Sequence, residues 1–240
     1  TDDTIVGWKE DVMLGFKTPI PAHNRAVEYM ERIASAWGGG LRLGGHSKGG
    51  NVAMWAAAFS PARVRDRVIR VYNNDGPGFL PAVIESDEYR DVADRIITFI
   101  PQSSVVGMML EQSPHYQIIK STQTGIMQHD PMSWEVMGPQ FVYLDKRSRF
   151  GQQSDENLKK LVYSMSDEER AKFADTIFGI IDSTGARTLT DLSQAKLKSF
   201  NVIMKSLREL DKPSRDTMFR ALVTLLGGRP PVQLPKGEDK

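Results

Sequence analysis

Gly45, Ser47 and Gly49 stand two residues apart within the stretch Gly44-Gly45-His46-Ser47-Lys48-Gly49-Gly50, which reads Gly-x-Ser-x-Gly. The apolar run Leu41-Arg42-Leu43 precedes it, and the helix-forming run Asn51-Val52-Ala53-Met54-Trp55-Ala56 follows. Strand, sharp turn and helix make up the context that a nucleophile elbow requires. The turn strains the backbone of its serine, so the residues two before and two after are expected to be small. Gly45 and Gly49 meet that need, and Gly50 is expected to let the helix pack close. Ser47 Oγ then stands clear at the carboxyl edge of the sheet. The backbone N–H of Lys48 sits at a helix N-terminus, where it can face an oxyanion. The plainer alternative is a glycine-rich turn that only packs a helix against a strand.

A serine nucleophile needs a base within hydrogen-bond reach and an acid to orient that base. In α/β-hydrolases the chain order is serine, acid, histidine. Two histidines follow Ser47 at a useful distance, His115 and His129. His129 lies in the turn-rich run Gln128-His129-Asp130-Pro131, where a base is expected to arrive late and on a flexible loop, and it is the expected base. His115 follows Pro114 at the start of a strand candidate. His46 adjoins the serine, with its side chain expected to point elsewhere and to pack. Asp75 is the expected acid, because it follows the first strand after the elbow, at the sheet edge where ligands gather. A turn aspartate in Asn-Asp-Gly needs no such role. Asp94 precedes its strand, at the wrong edge, and Asp130 is expected to fix the loop of His129.

These residues need a parallel sheet to bring them together. Apolar spacing predicts a helix over 22–37, with Ala26, Tyr29, Met30, Ile33 and Ala34 on one face. A strand follows at 41–45, then a helix over 48–59 and a short basic helical turn after Pro61. The β-branched run 68–72 predicts a second strand, 80–93 a helix, and 96–100 a third strand. Residues 115–122 and 140–144 are further strand candidates. Strands alternating with helices indicate an α/β fold, a mostly parallel sheet with helices on both faces. Beyond residue 150 the pattern becomes all-helical. Stripes fall at Leu158, Leu161, Val162 and Met165, at Phe173, Ile177, Ile180 and Ile181, at Phe200, Ile203, Met204 and Leu207, and at Met218, Leu222 and Leu225. Ser166 with Glu169 forms a capping box signal. The expected domains are a core over 1–150, a helical segment over 151–228 and a tail over 229–240. An elbow near residue 47 also calls for strands earlier than the sequence offers, so at least one is expected upstream of Thr1.

The 240 residues carry 31 basic and 30 acidic side chains, a balance that argues against nucleic acid or an anionic membrane as the main partner. No apolar run is long enough to span a bilayer. Absence of cysteine removes disulfides and thiolate chemistry and fits a reducing, cytoplasmic compartment. No cofactor or metal is expected.

Four blocks together resemble the Mbeg1-like family of bacterial proteins of unknown function. They are residues 44–51, the run Tyr72-Asn73-Asn74-Asp75-Gly76-Pro77-Gly78-Phe79, the run Pro101-Gln102-Ser103-Ser104-Val105-Val106-Gly107, and residues 128–131. The resemblance spans about residues 1–145. It implies a branch of the α/β-hydrolases similar to the class 3 lipases, with Ser47 and His129 matching nucleophile and base. It places Thr1 where those lipases carry an oxyanion-hole hydroxyl, just after an Arg-Gly that this chain lacks. Trp8 and Asp11 resemble their Trp-x-x-Asp. The chain departs at the acid, which those lipases place after the strand that here leads to Ser103 and Ser104. Either Asp75 has taken over, or the set is incomplete.

The leading expectation is a serine hydrolase cleaving an acyl ester, lipid or small, with Ser47, His129 and Asp75 in line and Lys48 and Thr1 stabilising the oxyanion. The alternative is a hydrolase-fold binding or scaffold module without turnover, favoured by the acid missing after Ile100. A Ser47–His129 separation beyond direct or one-water reach, together with a filled pocket, is its mark. The C-terminal helices are expected to bury their stripes, with a lid or partner surface as the other reading.

Overall fold

A computed structural model describes residues 14, 18–112, 116–153, 156, 159, 166–185, 202 and 205–225. The chain divides into two compact units, one holding Lys17–Asp155 and the other Glu156–Lys240. The first unit is an α/β fold. Its elements run α1 (Pro21–Ala36), β1 (Leu41–His46), α2 (Lys48–Phe59), α3 (Ala62–Arg65), β2 (Val68–Asn74), α4 (Pro81–Ile84), α5 (Asp87–Ala93), β3 (Ile96–Pro101) and β4 (Tyr116–Ile119). Three two-residue strands follow, β5 (Val136–Met137), β6 (Gln140–Phe141) and β7 (Tyr143–Leu144). The main sheet has the order β1-β2-β3-β4-β7. Neighbours among the first four strands run parallel, and β7 closes the sheet antiparallel to β4. Because β1, β2 and β3 point the same way, their carboxyl ends deliver Ser47, Asp75 and the Ser103–Ser104 loop to one edge.

Apart from Lys48 and Asn51, helix α2 carries only apolar residues, and Met54 to Ala58 are buried. It packs on β1 and β2, against α1 on one flank and α5 on the other. Val68, Val71, Ile96, Phe79, Tyr89 and Val92 complete this core. A helix apolar on all sides is a buried one. Helix α1 begins at Pro21, whose fixed φ suits a first turn. Its expected stripe was partly wrong. Tyr29 and Ile33 are exposed, while His23, Ala26, Val27, Met30 and Ala34 turn inward.

Two other expectations are corrected. The helix over 80–93 is two helices, because Ser86 Oγ accepts from Tyr89 N–H at 3.3 Å and restarts the chain with Asp87 and Glu88 in the first turn. The strand over 140–144 is also split. A turn at Gly138, φ 62°, folds Gln140–Phe141 back on Val136–Met137, whereas Tyr143–Leu144 joins the main sheet. Val142 links the two, donating to the Glu135 carbonyl at 2.9 Å and accepting from Lys120 N–H at 2.8 Å.

In the second unit, Ser166 and Glu169 form the expected capping box. Ser166 N–H donates to Glu169 Oε2 at 2.7 Å, and Glu169 N–H to Ser166 Oγ at 3.2 Å. They open α6 (Asp167–Ser183), which packs on α7 (Lys212–Leu225). Ile180 of the expected stripe is buried, and so is Phe178, which the stripe left out. The stripe at 158–165, the tail over 229–240 and most side chains of the other two stripes lie outside the described residues. Among the described residues no helix is long and apolar enough to cross a membrane.

The glycines of the elbow separate cleanly by space. A Cβ on Gly45 would fall on the backbone carbonyl of Gly49, and one on Gly50 would fall on the Asn73 side chain. A Cβ on Gly49 would meet nothing within 4 Å. The small residue required after the serine is therefore Gly50 and not, as the sequence suggested, Gly49. Gly45→Ala and Gly50→Ala should each destabilise the fold by about 1–3 kcal/mol through overpacking. Gly49→Ala should be neutral or slightly stabilising, because alanine loses less conformational freedom in a helix. Urea unfolding of the three variants checks this. Equal losses at all three positions would contradict it.

Candidate active site

Ser47 is the hinge between β1 and α2. Its φ is 58° and its ψ −134°, a combination that side chains rarely adopt and that needs firm support. Support comes from both sides. Ser47 N–H donates to the Asn74 carbonyl at 3.0 Å, continuing the β1–β2 ladder, and the Ser47 carbonyl accepts from Gly50 N–H at 2.9 Å. The side chain of Ser47 is nearly buried, and its Oγ lies 2.9 Å from His129 Nε2. The other ring nitrogen of His129, Nδ1, lies 2.8 Å from Asp75 Oδ2. One imidazole thus joins a hydroxyl and a carboxylate. The carboxylate accepts, so Nδ1 carries the proton and Nε2 is free to accept from Ser47 Oγ–H.

Asp75 follows the last residue of β2 with φ 53°. Its N–H donates to the Phe99 carbonyl at 2.8 Å, which ties this left-handed turn to β3. The side chain is fully buried. Its second oxygen, Oδ1, accepts from Ser104 Oγ–H. Ser104 Oγ in turn accepts from Gly107 N–H at 3.0 Å, so its proton is directed at Asp75. Burial pushes the Asp75 carboxyl above its usual 3.8, and the bonds from His129 and Ser104 pull it back.

The turn that carries Asp75 is held from beneath. Asn73 Oδ1 accepts from Gly76 N–H at 3.0 Å, and Asn51 Nδ2 donates to the carbonyls of Pro77 and Gly78 at 3.1 and 2.8 Å. Asn51 Oδ1 accepts from His23 Nε2–H at 2.7 Å, while His23 Nδ1 accepts from Ile20 N–H at 3.3 Å. The His23 ring stacks on Trp55 at 4.4 Å. Gly76 and Gly78 serve close approach here. A Cβ on the first would strike Asn73 Oδ1 and the Ser47 carbonyl, and one on the second the Glu111 carbonyl. Neither has positive φ, so what requires glycine here is space and not backbone conformation.

His129 ends a 3₁₀ turn, Gly125–His129, in the connection between β4 and β5. Gln128 Oε1 accepts from Ser103 N–H at 2.8 Å, and the Gln128 carbonyl accepts from Trp134 Nε1–H at 2.8 Å. Asp130 fixes the loop as expected, its carboxylate accepting from Met132 N–H at 3.0 Å. His46, expected only to pack, reaches the same segment. Its Nε2 lies 2.7 Å from the His129 carbonyl, and the two rings are 4.5 Å apart.

Four blocks far apart in the chain thus meet at one sheet edge, and these are the blocks on which the resemblance rests. The sequence matches the family model described as Mbeg1-like over residues 1–179. The chain belongs to the Mbeg1-like family. No curated protein and no solved structure matches it. In this Mbeg1-like chain the run 101–107 does not supply the carboxylate but clasps it. Ser103 Oγ lies 2.6 Å from Ser148 Oγ, and the Ser104 carbonyl accepts from Arg147 Nη2 at 3.2 Å. Lys48 is the first residue of α2, beside Ser47. Thr1, Trp8, Asp11 and His115 lie outside the described residues. Among the described residues no cluster of His, Asp and Glu has the makings of a metal site. The sequence reading missed His46, Asn51, Asn73 and Gln128. Only the crowding of polar residues at the ends of predicted strands, as in Asn73-Asn74-Asp75, signalled some of them.

The buried carboxylate predicts a pH signature. An acid whose folded pKa is raised contributes its full stability below its unfolded value and loses it as pH rises through the folded value. The stability of the parent minus that of Asp75→Asn should therefore fall as pH rises above 3.8, then level off. Urea unfolding across that range checks it, and a difference that grows with pH would show that the ion pair outweighs burial. Ser104→Ala removes a donor from a buried anion and should cost about 1–3 kcal/mol at neutral pH.

Proposed function

We propose that this Mbeg1-like protein is a serine hydrolase that cleaves an acyl ester. The observation that carries the reading is the unbroken line from Ser47 Oγ through the His129 ring to Asp75, with contacts of 2.9 and 2.8 Å. Both fall in the range that proton transfer needs. In the reaction, Ser47 Oγ attacks the acyl carbon while His129 Nε2 takes its proton. The ester C–O bond breaks, the alkoxide leaves with the proton from Nε2, and the acyl group stays on Ser47. Water then attacks the acyl carbon as His129 Nε2 takes its proton, the acyl–Oγ bond breaks, Nε2 returns the proton to Ser47 Oγ, and the carboxylic acid departs. Asp75 accepts from Nδ1–H throughout, keeping the tautomer correct and offsetting the imidazolium charge. The N-terminus of α2, with the Lys48 N–H, offers the oxyanion a positive end, and Thr1 is assigned the second donor by the class 3 lipase resemblance. The rival reading, a binding module without turnover, predicted a gap between Ser47 and His129. Their direct contact favours turnover.

A fluorophosphonate probe should label the folded, full-length chain at Ser47 and leave Ser47→Ala unlabelled. Hydrolysis of a short-chain nitrophenyl ester should fall by about four orders of magnitude in Asp75→Asn, the figure for a serine-protease triad. Failure of the parent to label or to hydrolyse a panel of acyl esters would sink the reading. Near-full turnover in Asp75→Asn, with turnover lost in Ser103→Ala or Ser104→Ala, would move the acid's role to the serine loop.

A further inference from the structure

The turn that ends at His129 has carbonyls beyond its own hydrogen-bond ladder, as every helical terminus does. Two consecutive ones are taken by aromatic N–H groups. Trp134 Nε1–H donates to the Gln128 carbonyl at 2.8 Å, and His46 Nε2–H donates to the His129 carbonyl at 2.7 Å. Trp134 belongs to the same loop, but His46 comes from the last position of β1, immediately before Ser47. The His46 ring also stands 4.5 Å from the His129 ring and 6.3 Å from Trp134. We propose that His46 is a positioning residue for the base: it ties the backbone of His129 to the residue preceding the nucleophile, so that Ser47 Oγ and His129 Nε2 keep their separation as one unit. The inference rests on the reading of His129 as base.

Ser47 is fixed by the elbow, and Asp75 by β2 and β3. The segment 125–134 lies between β4 and the β5–β6 hairpin, so its placement relative to the elbow depends on side-chain bonds. Ser121, Thr122 and Gln123, just before it in the chain, bond Ser133 and Gln128, and besides the Ser47–His129 contact itself three bonds come from more distant elements. Asp75 holds the ring at Nδ1, Ser103 N–H holds Gln128 Oε1, and His46 holds the backbone at His129. Of the three, the His46 bond alone runs to the element that carries the nucleophile. Burial, and next the neighbouring His129, lower the pKa of His46 and favour its neutral form. Such a ring donates one N–H without placing a second positive charge beside the imidazolium formed during attack.

The test exploits reach. Glutamine carries an N–H donor the same number of bonds from Cβ as His46 Nε2, asparagine one bond fewer, and leucine none. His46→Gln should recover most of the fluorophosphonate labelling rate of Ser47. His46→Asn and His46→Leu should lose about ten- to a hundredfold, the scale of a misplacement near 1 Å, with the loss in kcat rather than KM for ester turnover. Thermal midpoints are recorded for all three, and a variant that unfolds early is compared below its transition. Labelling of His46→Leu at the parent rate would overturn the proposal. So would equal losses in all three variants, which would assign the effect to the ring and not to its bond. A second readout needs no turnover. The low-field proton resonance of the His129 Nδ1–H···Asp75 bond should weaken or shift in His46→Leu and persist in His46→Gln. Should the parent chain prove unreactive, the esterase reading falls. An Nδ1 resonance unchanged in His46→Leu then overturns the positioning role on its own.

Discussion

The Asp75 carboxylate has no contact with solvent, and that constraint governs the site. A buried anion is costly unless donors surround it. Here one oxygen takes the hydroxyl of Ser104 and the other the imidazole N–H of His129. The two donors come from different parts of the chain, the turn after β3 and the segment after β4. Satisfying one carboxylate therefore locks three otherwise independent loops into a single arrangement. Gly107 follows from the same constraint, because a side chain there would run into Asp75 Oδ1 and Ser104 Oγ.

The second constraint is steric and lies one layer deeper. The Ser47 backbone is held in a strained conformation by the close approach of the strand, the helix and the Asp75 turn. Gly45, Gly50 and Gly76 each sit where a methyl group would strike backbone or a bonded amide. From α1, the polar chain His23–Asn51 then reaches the carbonyls of Pro77 and Gly78 through the core. Every member is buried and bonded, the condition under which an interior polar network rigidifies a site and does not weaken it. Core packing and site geometry here use the same atoms. Trp55, for example, fills the interior and stacks on the His23 ring that starts the network.

In the proposed reading the acid comes from the loop after β2, whereas the class 3 lipase resemblance would place it after β3, and a parallel sheet sets these two loops side by side. Asn74 of β2 is in register with Phe99 of β3, so the two loops beyond these strands emerge side by side. A carboxylate from either loop lands near the same point. In this chain the β3 loop contacts the Asp75 carboxylate through Ser104 and brings no carboxylate of its own.

The sequence by itself determined a good deal. Gly-x-Ser-x-Gly between an apolar run and an alanine-rich run is a local pattern, and local patterns carry the elbow, the helix boundaries of α2 and the strand of β2. The order serine, acid, histidine also pointed to Asp75 and His129, and the fold joins both to Ser47 in one hydrogen-bonded line at the edge where the parallel strands end. What tertiary structure decided was everything set by contacts across long sequence separations. The separation of 83 positions between His46 and His129 hid their bond. The link from Ser104 to Asp75 spans 29, and single-residue chemistry cannot distinguish a serine that replaces an acid from one that holds it. Gly49 and Gly50 look alike in sequence, and only the Asn73 side chain against α2 tells which one must lack a Cβ. The split of 140–144 between two sheets was likewise invisible, since a pairing partner is a property of the assembled sheet and not of the strand.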